Sequence, residues 1–486
     1  MITLNEIPYD WRVKGTYIEV RPTYVRKGLV PFPAKGILFV QKLASGSAVA
    51  KQKYEITRPE DGTALFGHGS VGQQMVRTFK KGNKTSRVFA IALDDDPAGV
   101  KGVWTLTFSG AGAGTIPIYI QGRRVRYKAT SVMTPTQHAA AAVLAINADP
   151  DMPFVATSAV AVVTLTAKHA GEVGNQIDIR FRKSIEDVLP GTLAIAVAQT
   201  TPGSGNPDVQ DILDVIANEW YTDIAMAWDD AANLEVFTED MAERYKAMGK
   251  KDAHGYVGHR GTYGELGTKG NLTNSPFLSP IGAKKAFQAP WEWAAALCAA
   301  CMFNLTNDPA RQMGAVPLVG LDAPDDVDCF EETERNLLLF QGISDWARLD
   351  DGTVVLQRVI TAYKKSILNV DDDAWLDIMV PKTMTRIRYD WSAYFTLLYP
   401  RHKLAPDDSV AAHNNDHVVT PKKAHGSWAA RCQLYARQAW IIDVSRTVDE
   451  SAFELDENNK NRLVTQPRVN IIGNLIQMFG ALEFEA

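Results

Sequence analysis

The spacing of apolar residues predicts helices and short strands in turn over residues 37–100. Two apolar runs with the composition of buried strands flank a segment in which Met75, Val76 and Phe79 recur at helical spacing. This mixture predicts the first part of an α/β core. Before it, residues 1–36 contain four prolines, which interrupt helices and central strands and predict an extended N-terminal arm.

Apolar and polar positions alternate strictly within residues 101–200. The alternation is clearest at Ile116, Ile118 and Ile120, and it predicts half-buried antiparallel strands. Thr134, followed by a proline and, three residues on, by a glutamine, forms a capping-box signature that predicts one helix among these strands. The sequence therefore predicts an inserted, β-rich domain here.

Strand and helix patterns alternate over residues 201–372, which is typical of a parallel sheet covered by helices. The predicted order is helix 207–219, strand 222–227, helix 231–246, strand 255–259, buried helix 290–305, helix 332–340 and a hairpin over 343–362.

The last part of the chain is predicted to contain two long helices, over 373–398 and 421–439, in a C-terminal domain spanning residues 373–461. Residues 462–486 are predicted to be a C-terminal strand or arm. The strands predicted in this part cover 440–448, 453–455 and 462–472. The fold class expected for the whole chain is α/β and α+β, in several domains.

Composition and charge narrow the function classes. With 51 basic and 56 acidic residues, the formal net charge is −5, which gives no overall attraction to a nucleic-acid backbone. The longest apolar stretch, residues 293–305, is too short to cross a bilayer. Because the N-terminus lacks the apolar core of a signal peptide, we expect synthesis in the cytoplasm, and no nucleic-acid partner or membrane span.

Glycine-rich and histidine-containing segments offer little catalytic chemistry. Residues 110–114 resemble a phosphate loop, but an apparent strand follows them instead of a helix, so a flexible hairpin turn is the better interpretation. Residues 67–70, which include His68 and Ser70, are faintly similar to the histidine segment of subtilases. No serine stands in the parallel-sheet region, at residues 261–263, where a nucleophile would be required.

Clusters of potential metal ligands are also interpreted as structural. The acidic runs at residues 94–96 and 371–373 are expected to be solvated turns or helix caps. Cys298 and Cys301 form a CxxC inside an apolar helix, without a second pair, and are expected to be buried small side chains. We therefore predict no catalytic, cofactor-binding or metal site, with a hydrolase on an α/β scaffold as the alternative.

Several stretches, in conserved order and spacing, resemble the tail sheath family of Mu-like contractile phages over nearly the whole chain. They are LFGHGSVGQQM at 65–75, VFAIALDDDPAG at 88–99, TIPIYIQGRRV at 115–125, LTAKHAGEVGNQIDIRF at 165–181, PWEWAAA at 290–296, DPAR at 308–311 and ERNLLLFQGIS at 334–344.

The resemblance implies a structural subunit, not an enzyme, whose core is subtilisin-like in topology only. It implies no cofactor and a helical homo-oligomer of stacked rings around a tail tube, which contracts to drive the tube through the host envelope for genome delivery. The implied partners are the tube protein and the baseplate and tail terminator proteins, and the implied location is the virion.

Terminal arms that join neighbouring subunits are a further implication. The arm candidates in this sequence are Thr16, Tyr17, Ile18, Val20, Val464, Val469 and Ile471. A terminal strand within its own domain is the alternative.

The resemblance also implies that the C-terminal region lies nearest the tube. The basic helix 421–439 is therefore the candidate tube contact, with a solvated helix face as the alternative. Its tube-contact candidates are Lys422, Lys423, Arg431 and Arg437.

Overall fold

The computed structural model describes residues 12–18, 28–183 and 187–485. They form a mixed α/β, multidomain protein with several sheets. The described residues divide into two compact units, with one boundary inside the helix Met379–Leu398. The smaller unit contains the described residues up to Phe32 with 388–437 and 443–468, and the larger contains 33–387, 438–442 and the residues from Val469 onward.

Helices and strands follow one another along the described chain. The helices are α1 (Asp61–Phe66), α2 (Val71–Gly82), α3 (Pro135–Asn147), α4 (Gln210–Val215), α5 (Ala231–Tyr245), α6 (Tyr263–Gly270), α7 (Pro290–Asn307), α8 (Glu332–Phe340), α9 (Met379–Leu398), α10 (Val410–Asn414), α11 (Pro421–Arg437) and α12 (Val444–Asp449). The strands are β1 (Gly36–Gln41), β2 (Lys53–Ile56), β3 (Val88–Leu93), β4 (Lys101–Ser109), β5 (Gly114–Ile120), β6 (Arg123–Ala129), β7 (Phe154–Ala159), β8 (Val162–Ala170), β9 (Ile179–Arg180), β10 (Ala194–Thr201), β11 (Asp223–Met226), β12 (His254–Arg260), β13 (Leu278–Ala283), β14 (Asp345–Arg348), β15 (Val354–Arg358), β16 (Lys403–Leu404), β17 (Val418–Val419), β18 (Ala452–Leu455) and β19 (Leu463–Gln466).

A six-stranded sheet in the order β13-β12-β11-β1-β3-β2 forms the centre of the larger unit. All its neighbouring pairs are parallel except β2 with β3. Every residue of β1, with the sequence GILFVQ, is buried, as expected for a parallel strand covered on both faces.

Helices cover both faces of this sheet. A Cβ on Gly258 of β12 would lie 1.9 Å from the carbonyl oxygen of Pro290, whereas one on Gly255 would lie 2.4 Å from the ring of Phe237. Because side chains three residues apart on a strand point to opposite faces, α7 and α5 lie on opposite sides of β12. Glycine at position 258 lets the first turn of α7 approach the strand backbone.

Two antiparallel sheets lie between β3 and α4 in the sequence. One has the order β10-β4-β8-β7 and the other the order β6-β5-β9. Helix α3 packs against the first sheet and begins with the predicted capping box, in which the Thr134 hydroxyl accepts the Gln137 N–H and the Gln137 side chain accepts the Thr134 N–H. The strand predicted at Ile116, Ile118 and Ile120 is confirmed as β5, but its predicted half-burial was wrong, because Pro117 and Tyr119 between them are buried as well.

Aromatic side chains form much of the interior of the smaller unit. The Trp391 ring meets the Trp428 ring edge-on at 5.1 Å and the Phe453 ring at 6.3 Å. Tyr435 completes the group from α11, with its ring 6.0 Å from Trp428. Edge-to-face pairs of this kind stabilise a core beyond the area they bury.

Most predicted elements of the parallel-sheet region are confirmed, and α8 has the predicted bounds 332–340. Other predictions were wrong in extent or type, and of the strand predicted over 462–472 only β19 is a strand. The helix predicted over 207–219 is only α4, and α9 begins at Met379 instead of residue 373 because the preceding acidic run belongs to a hairpin. The strand predicted over 440–448 is largely the helix α12, which Asp443 caps by accepting the Arg446 N–H.

No helix within the described ranges is long and apolar enough to span a bilayer.

Candidate functional site

The carboxyl ends of the central strands are the usual ligand site of an open α/β sheet, at the point where the strand order reverses. In this sheet the reversal lies between β1 and β11. The Trp228 Nε1–H there donates to Gln41 Oε1 at 3.3 Å, and Gln41 Nε2 donates to the Asp95 carboxylate at 2.7 Å and to the Ala170 carbonyl at 2.9 Å. Gln41 and Trp228 are buried. The crevice is filled by protein groups bonded to one another, so a ligand would have to displace them.

An acid–histidine pair that the sequence analysis missed lies at the end of the neighbouring strand. Asp229 accepts a hydrogen bond from His259 Nδ1 at 3.0 Å, and Lys269 Nζ is 3.3 Å from its carboxylate. Burial would raise the pKa of Asp229, but the hydrogen bond from His259 and the lysine charge outweigh it and lower that pKa. Lys269 lies on α6, so these contacts join the ends of β11 and β12 to that helix. Thirty residues separate the partners, and no spacing rule would have found them.

The subtilase-like segment is held by local bonds. The Ser70 hydroxyl is buried, donates to the Gly67 carbonyl at 2.8 Å and accepts the Gln73 N–H at the start of α2. His68 Nδ1 instead contacts the Asp151 carboxylate at 2.7 Å. Ser70 is therefore a helix cap, as its position before a helical pattern suggests, and the geometry gives it no role as a nucleophile.

The glycine-rich residues 110–114 connect two different sheets, because β4 belongs to the four-stranded sheet and β5 to the three-stranded sheet. The predicted hairpin turn was therefore wrong, although the following element is the expected strand. Gly110 has a φ of +75° and lies against Thr192, whose carbonyl would be 2.1 Å from an added Cβ. The tight connection requires glycine at this position.

The predicted acidic and cysteine clusters are structural. Asp94 pairs with Lys42 at 3.0 Å, and Asp95 accepts from His169 and from the Ala170 N–H. Cys298 and Cys301 are buried in α7, where burial raises the pKa of both thiols. In the part of the chain that the structure describes, no group of three acidic, histidine or cysteine side chains is arranged to hold a metal ion.

The candidate arm residues fall in different surroundings. Thr16, Tyr17 and Ile18 are exposed and outside any strand, and Val20 lies outside the described residues. Val464 is in β19, opposite Glu454 of β18.

The end of the chain combines a paired segment with an exposed one. Ile471 bridges Ile441, and the N–H of Ile472 donates to the Trp440 carbonyl at 3.1 Å. Val469 lies just before this bridge and is half-buried. Beyond it the described chain has no regular structure; Ile476 is half-buried, and five large apolar side chains are exposed. They are Leu475, Met478, Phe479, Leu482 and Phe484.

The candidate tube-contact residues on α11 do not share one exposed face. Lys422 and Arg437 are exposed at opposite ends of the helix, roughly 22 Å apart at 1.5 Å per residue. Lys423 Nζ donates to the carbonyls of Ala412 and Val418. Arg431 is only 1% exposed, so its inclusion in a surface patch is corrected: its charge lies inside the unit.

Asp390, which the sequence analysis did not single out, holds this buried arginine. Arg431 Nη2 is 2.6 Å from Oδ1 of Asp390, and the Tyr435 hydroxyl donates to Oδ2 at 2.7 Å. The guanidinium also stacks over the Tyr394 ring at 4.2 Å. A sequence signal was available, because Arg431 has Trp428 and Tyr435 at helical spacing, on the apolar stripe of α11.

Residues 203–362 match the family model described as phage tail sheath protein central domain. In its fold and in this domain the chain is therefore similar to the phage tail sheath proteins. Along its whole length the chain is similar to the Mu-like prophage FluMu tail sheath protein of Haemophilus influenzae, with 29% identity over 485 residues and 99% of each sequence covered. The resemblance to the Mu-like tail sheath family is confirmed.

Two solved structures share the fold. One is a chain of the anti-feeding prophage helical sheath in its contracted state, with a TM-score of 0.51 and 11% identity, covering 98% of this chain and 99% of that chain. The other is from the anti-feeding prophage baseplate, with a TM-score of 0.51, 10% identity and the same coverage. At such low identity these similarities establish the fold alone.

Proposed function

We propose that this chain is the structural subunit of a contractile tail sheath, which polymerises helically around a tail tube and contracts to drive the tube through the host envelope. The observation that carries the proposal is the sheath central domain at residues 203–362, within a chain related end to end to a Mu-like sheath protein. Because the relatives are structural sheath proteins, the chain is a structural subunit and not a hydrolase. Its proposed place is the virion tail, after synthesis in the host cytoplasm.

The proposal includes a domain organisation. A subtilisin-like core is supported by a mainly parallel sheet with helices on both faces. An inserted β-rich domain over 101–200 is supported by two antiparallel sheets that lie between β3 and α4. A C-terminal domain from about residue 373 is supported by the compact unit that contains 388–437 and 443–468.

Terminal segments are proposed as the contacts that neighbouring subunits retain during contraction. The residues 12–18, which are exposed, and the apolar tail after Ile472 support this role, since both segments lie outside any helix or strand. At roughly 3.3 Å per extended residue, the 13 described residues from Gly473 to Glu485 would reach about 43 Å. A segment of that reach can join a sheet in another subunit.

Contraction is proposed to use energy stored in assembly. The glycine-rich segment 110–114 leads into a strand and lacks the helix N-terminus that a phosphate site needs. An extended sheath trapped kinetically above a contracted sheath of lower free energy needs no nucleotide.

The proposed partners beyond the chain itself are the tube, baseplate and tail terminator proteins. Lys422, Lys423 and Arg437 support a tube contact, because their charges lie at the surface of α11 in a chain of net negative charge. Exposed ion pairs contribute roughly 0–1 kcal/mol each and weaken with salt, which suits a contact that must release.

Electron microscopy of the purified protein tests the proposal. Negatively stained samples, concentrated alone and incubated with isolated tubes, are expected to show ringed tubes or sleeves. Dispersed single particles in both samples would contradict a sheath function.

A further inference from the structure

Residues 28–32, here called the arm root, lie near the end of the predicted N-terminal arm and belong to the smaller unit. Their sequence is GLVPF, and a second proline follows at position 33. Because a residue before a proline is restricted to extended conformations, Val30 and Phe32 are both held extended. The proline rings fix φ at positions 31 and 33. The arm root is therefore a stiff, extended piece of chain.

The buried pair of Asp390 and Arg431 binds the arm root through its backbone. The Val30 N–H donates to Asp390 Oδ1 at 2.7 Å, and Arg431 Nη1 donates to the Gly28 carbonyl at 3.2 Å. Hydrogen bonds to ionised groups are stronger than those between neutral groups. Asp390 is fully buried and Arg431 is 1% exposed, so water competes little with the arm root for either charge.

An aromatic contact adds a side chain to these backbone bonds. The Phe32 ring meets the Tyr389 ring edge-on, with the ring centroids 5.4 Å apart and 79° between the ring planes. Tyr389 precedes Asp390 on α9, so the ring contact and the hydrogen bond to Val30 come from neighbouring residues of one helix. Val30 and Phe32 are half-buried. The arm root is thus attached by its backbone and by a side chain.

The ion pair itself is complete without the arm root. Arg431 Nη2 donates to Asp390 Oδ1 at 2.6 Å, and the Tyr435 hydroxyl donates to Oδ2 at 2.7 Å. Apolar side chains of similar volume often hold two helices together as well as a buried ion pair does. They cannot, however, accept one backbone N–H and donate to one backbone carbonyl. The bonds to the arm root therefore give the buried charges a use beyond the packing of α9 against α11.

The place of the arm root in the sequence gives these contacts a mechanical meaning. The root stands between the arm and β1, which begins at Gly36 and is buried along its whole length in the six-stranded sheet. A force on the arm is transmitted along the backbone. It reaches the contacts at residues 28–32 before it reaches β1.

We propose that the Asp390–Arg431 pair is the anchor of the N-terminal arm on its own subunit, so that force on the arm in an assembled sheath is passed to α9 and α11 and not to β1. The inference rests on the proposed joining of subunits by terminal arms, and it adds the residues that hold the base of one arm. Asp390 and Arg431 are positioning residues: they are buried, and they fix the place from which the arm extends.

Two variants weaken the anchor and leave the ion pair intact. Val30→Pro removes the N–H that Asp390 accepts, in an extended segment where proline is tolerated. Phe32→Ala removes the ring contact with Tyr389. Phe340→Ala, which truncates an exposed phenylalanine of α8, is the matched control.

Amide hydrogen exchange measures the docking of the arm root. The Val30 amide should exchange slowly in the original protein, because it is bonded to a buried carboxylate, and faster in Phe32→Ala, whereas the rates of α9 and α11 should not change. Trypsin cleavage after Lys27 should rise roughly tenfold to a hundredfold in Val30→Pro, the range expected for loss of a hydrogen bond to a charged group. Phe340→Ala should change neither rate. Unchanged rates in both anchor variants would overturn the proposal, as would faster exchange throughout α9 and α11, which would show a role in folding alone.

Assembly tests the mechanical role. The double variant Val30→Pro/Phe32→Ala is expected to lose the long polymers that the original protein forms, as judged by sedimentation and negative-stain microscopy, and Phe340→Ala should assemble normally. Normal polymers from a double variant whose arm root is released would overturn the anchor and leave the sheath function standing. Absence of polymers from the original protein would contradict both.

Discussion

A buried ion pair lies in the interior of the smaller unit. Arg431 and Asp390 are both buried and joined by two short contacts, with Tyr435 as a third member. Burying two charges is costly and is offset only when the partners are held in good geometry. The pair therefore constrains how α9 and α11 pack within the smaller unit.

Replacing Asp390 with alanine is expected to destabilise the smaller unit by about 3–5 kcal/mol, because the buried Arg431 charge would lose its partner. Urea denaturation, followed by fluorescence of the aromatic core, would measure the loss. Glu450→Ala, which removes an exposed partner of Arg446, is the matched control and should cost less than about 1 kcal/mol. Equal effects of the two variants would show that burial does not set the strength of the pair.

Glu292 gives the larger unit a pH-dependent stability. It is half-buried in the first turn of α7 and accepts the Ala289 N–H at 3.1 Å. Burial raises the pKa of its carboxyl from 4.5 to about 7. Since the folded state binds the proton more tightly than the unfolded chain, this group's contribution falls as pH rises from 4.5 to 7, by about 3 kcal/mol for a shift of this size.

The variant Glu292→Gln keeps an acceptor for the Ala289 N–H and removes the charge. We expect it to be more stable than the original protein at pH 8 and to lose most of the advantage near pH 5, as measured by urea denaturation at both values. Glu265, at the same position of the capping box of α6, has a pKa lowered by hydrogen bonds from Thr262, so Glu265→Gln should instead reduce stability at pH 8. The same pH dependence in the original protein and Glu292→Gln would contradict the role of this carboxyl.

At the scale of elements, the C-terminal segment has two parts: one pairs with another segment of the chain, and the other exposes apolar side chains at the surface. Residues 470–472 pair with 440–442, whereas the tail beyond them lies outside any helix or strand and exposes apolar side chains. Five exposed large apolar side chains in a short segment are a liability for a monomer but suit a segment that another subunit covers.

Deleting residues 473–486 is expected to leave the thermal midpoint of the isolated subunit unchanged, because few contacts are lost. The deletion should abolish long polymers in sedimentation and negative-stain assays. A matched variant keeps the full chain length and replaces only Leu475, Phe479 and Phe484 with serine. It should reproduce the assembly defect if the apolar side chains, and not the length of the tail, are what assembly requires. Normal polymers from both variants would show that the tail takes no part in assembly.

At the scale of the whole molecule, the N-terminal arm and the basic residues of α11 are expected to affect assembly and not folding. Deleting residues 1–14 should leave a folded subunit that no longer forms long polymers, as judged by circular dichroism and microscopy. The motivation is a proline-rich arm whose described residues 12–18 are exposed. Normal sheaths from the truncated chain would contradict this prediction.

Charge reversal at Lys422, Lys423 and Arg437 should reduce decoration of isolated tubes at low salt without unfolding the subunit. Salt should weaken decoration by the original protein in the same way, because exposed ion pairs are screened. Arg431→Glu serves as a contrast, since it places two buried acids together and should unfold the smaller unit. Undiminished decoration by the triple variant would refute the tube contact.

The sequence by itself determined most of what depends on local pattern. The buried run of β1, the capping box at Thr134, the helix α8 and the strand at Ile116 all follow from periodicity and capping between near neighbours. The family resemblance, which depends on ordered motifs, also came from the sequence alone.

Only the tertiary structure decided which distant residues meet. Asp390 and Arg431 are 41 residues apart, and Asp229 and His259 are 30 apart, so no local rule joins them. Contacts across the fold likewise buried one face of α11, including Arg431, and filled the crevice at the strand ends with Gln41. Burial is a property of the packed whole, because the free energy of a charge or an apolar group depends on what surrounds it and not on its position in the chain.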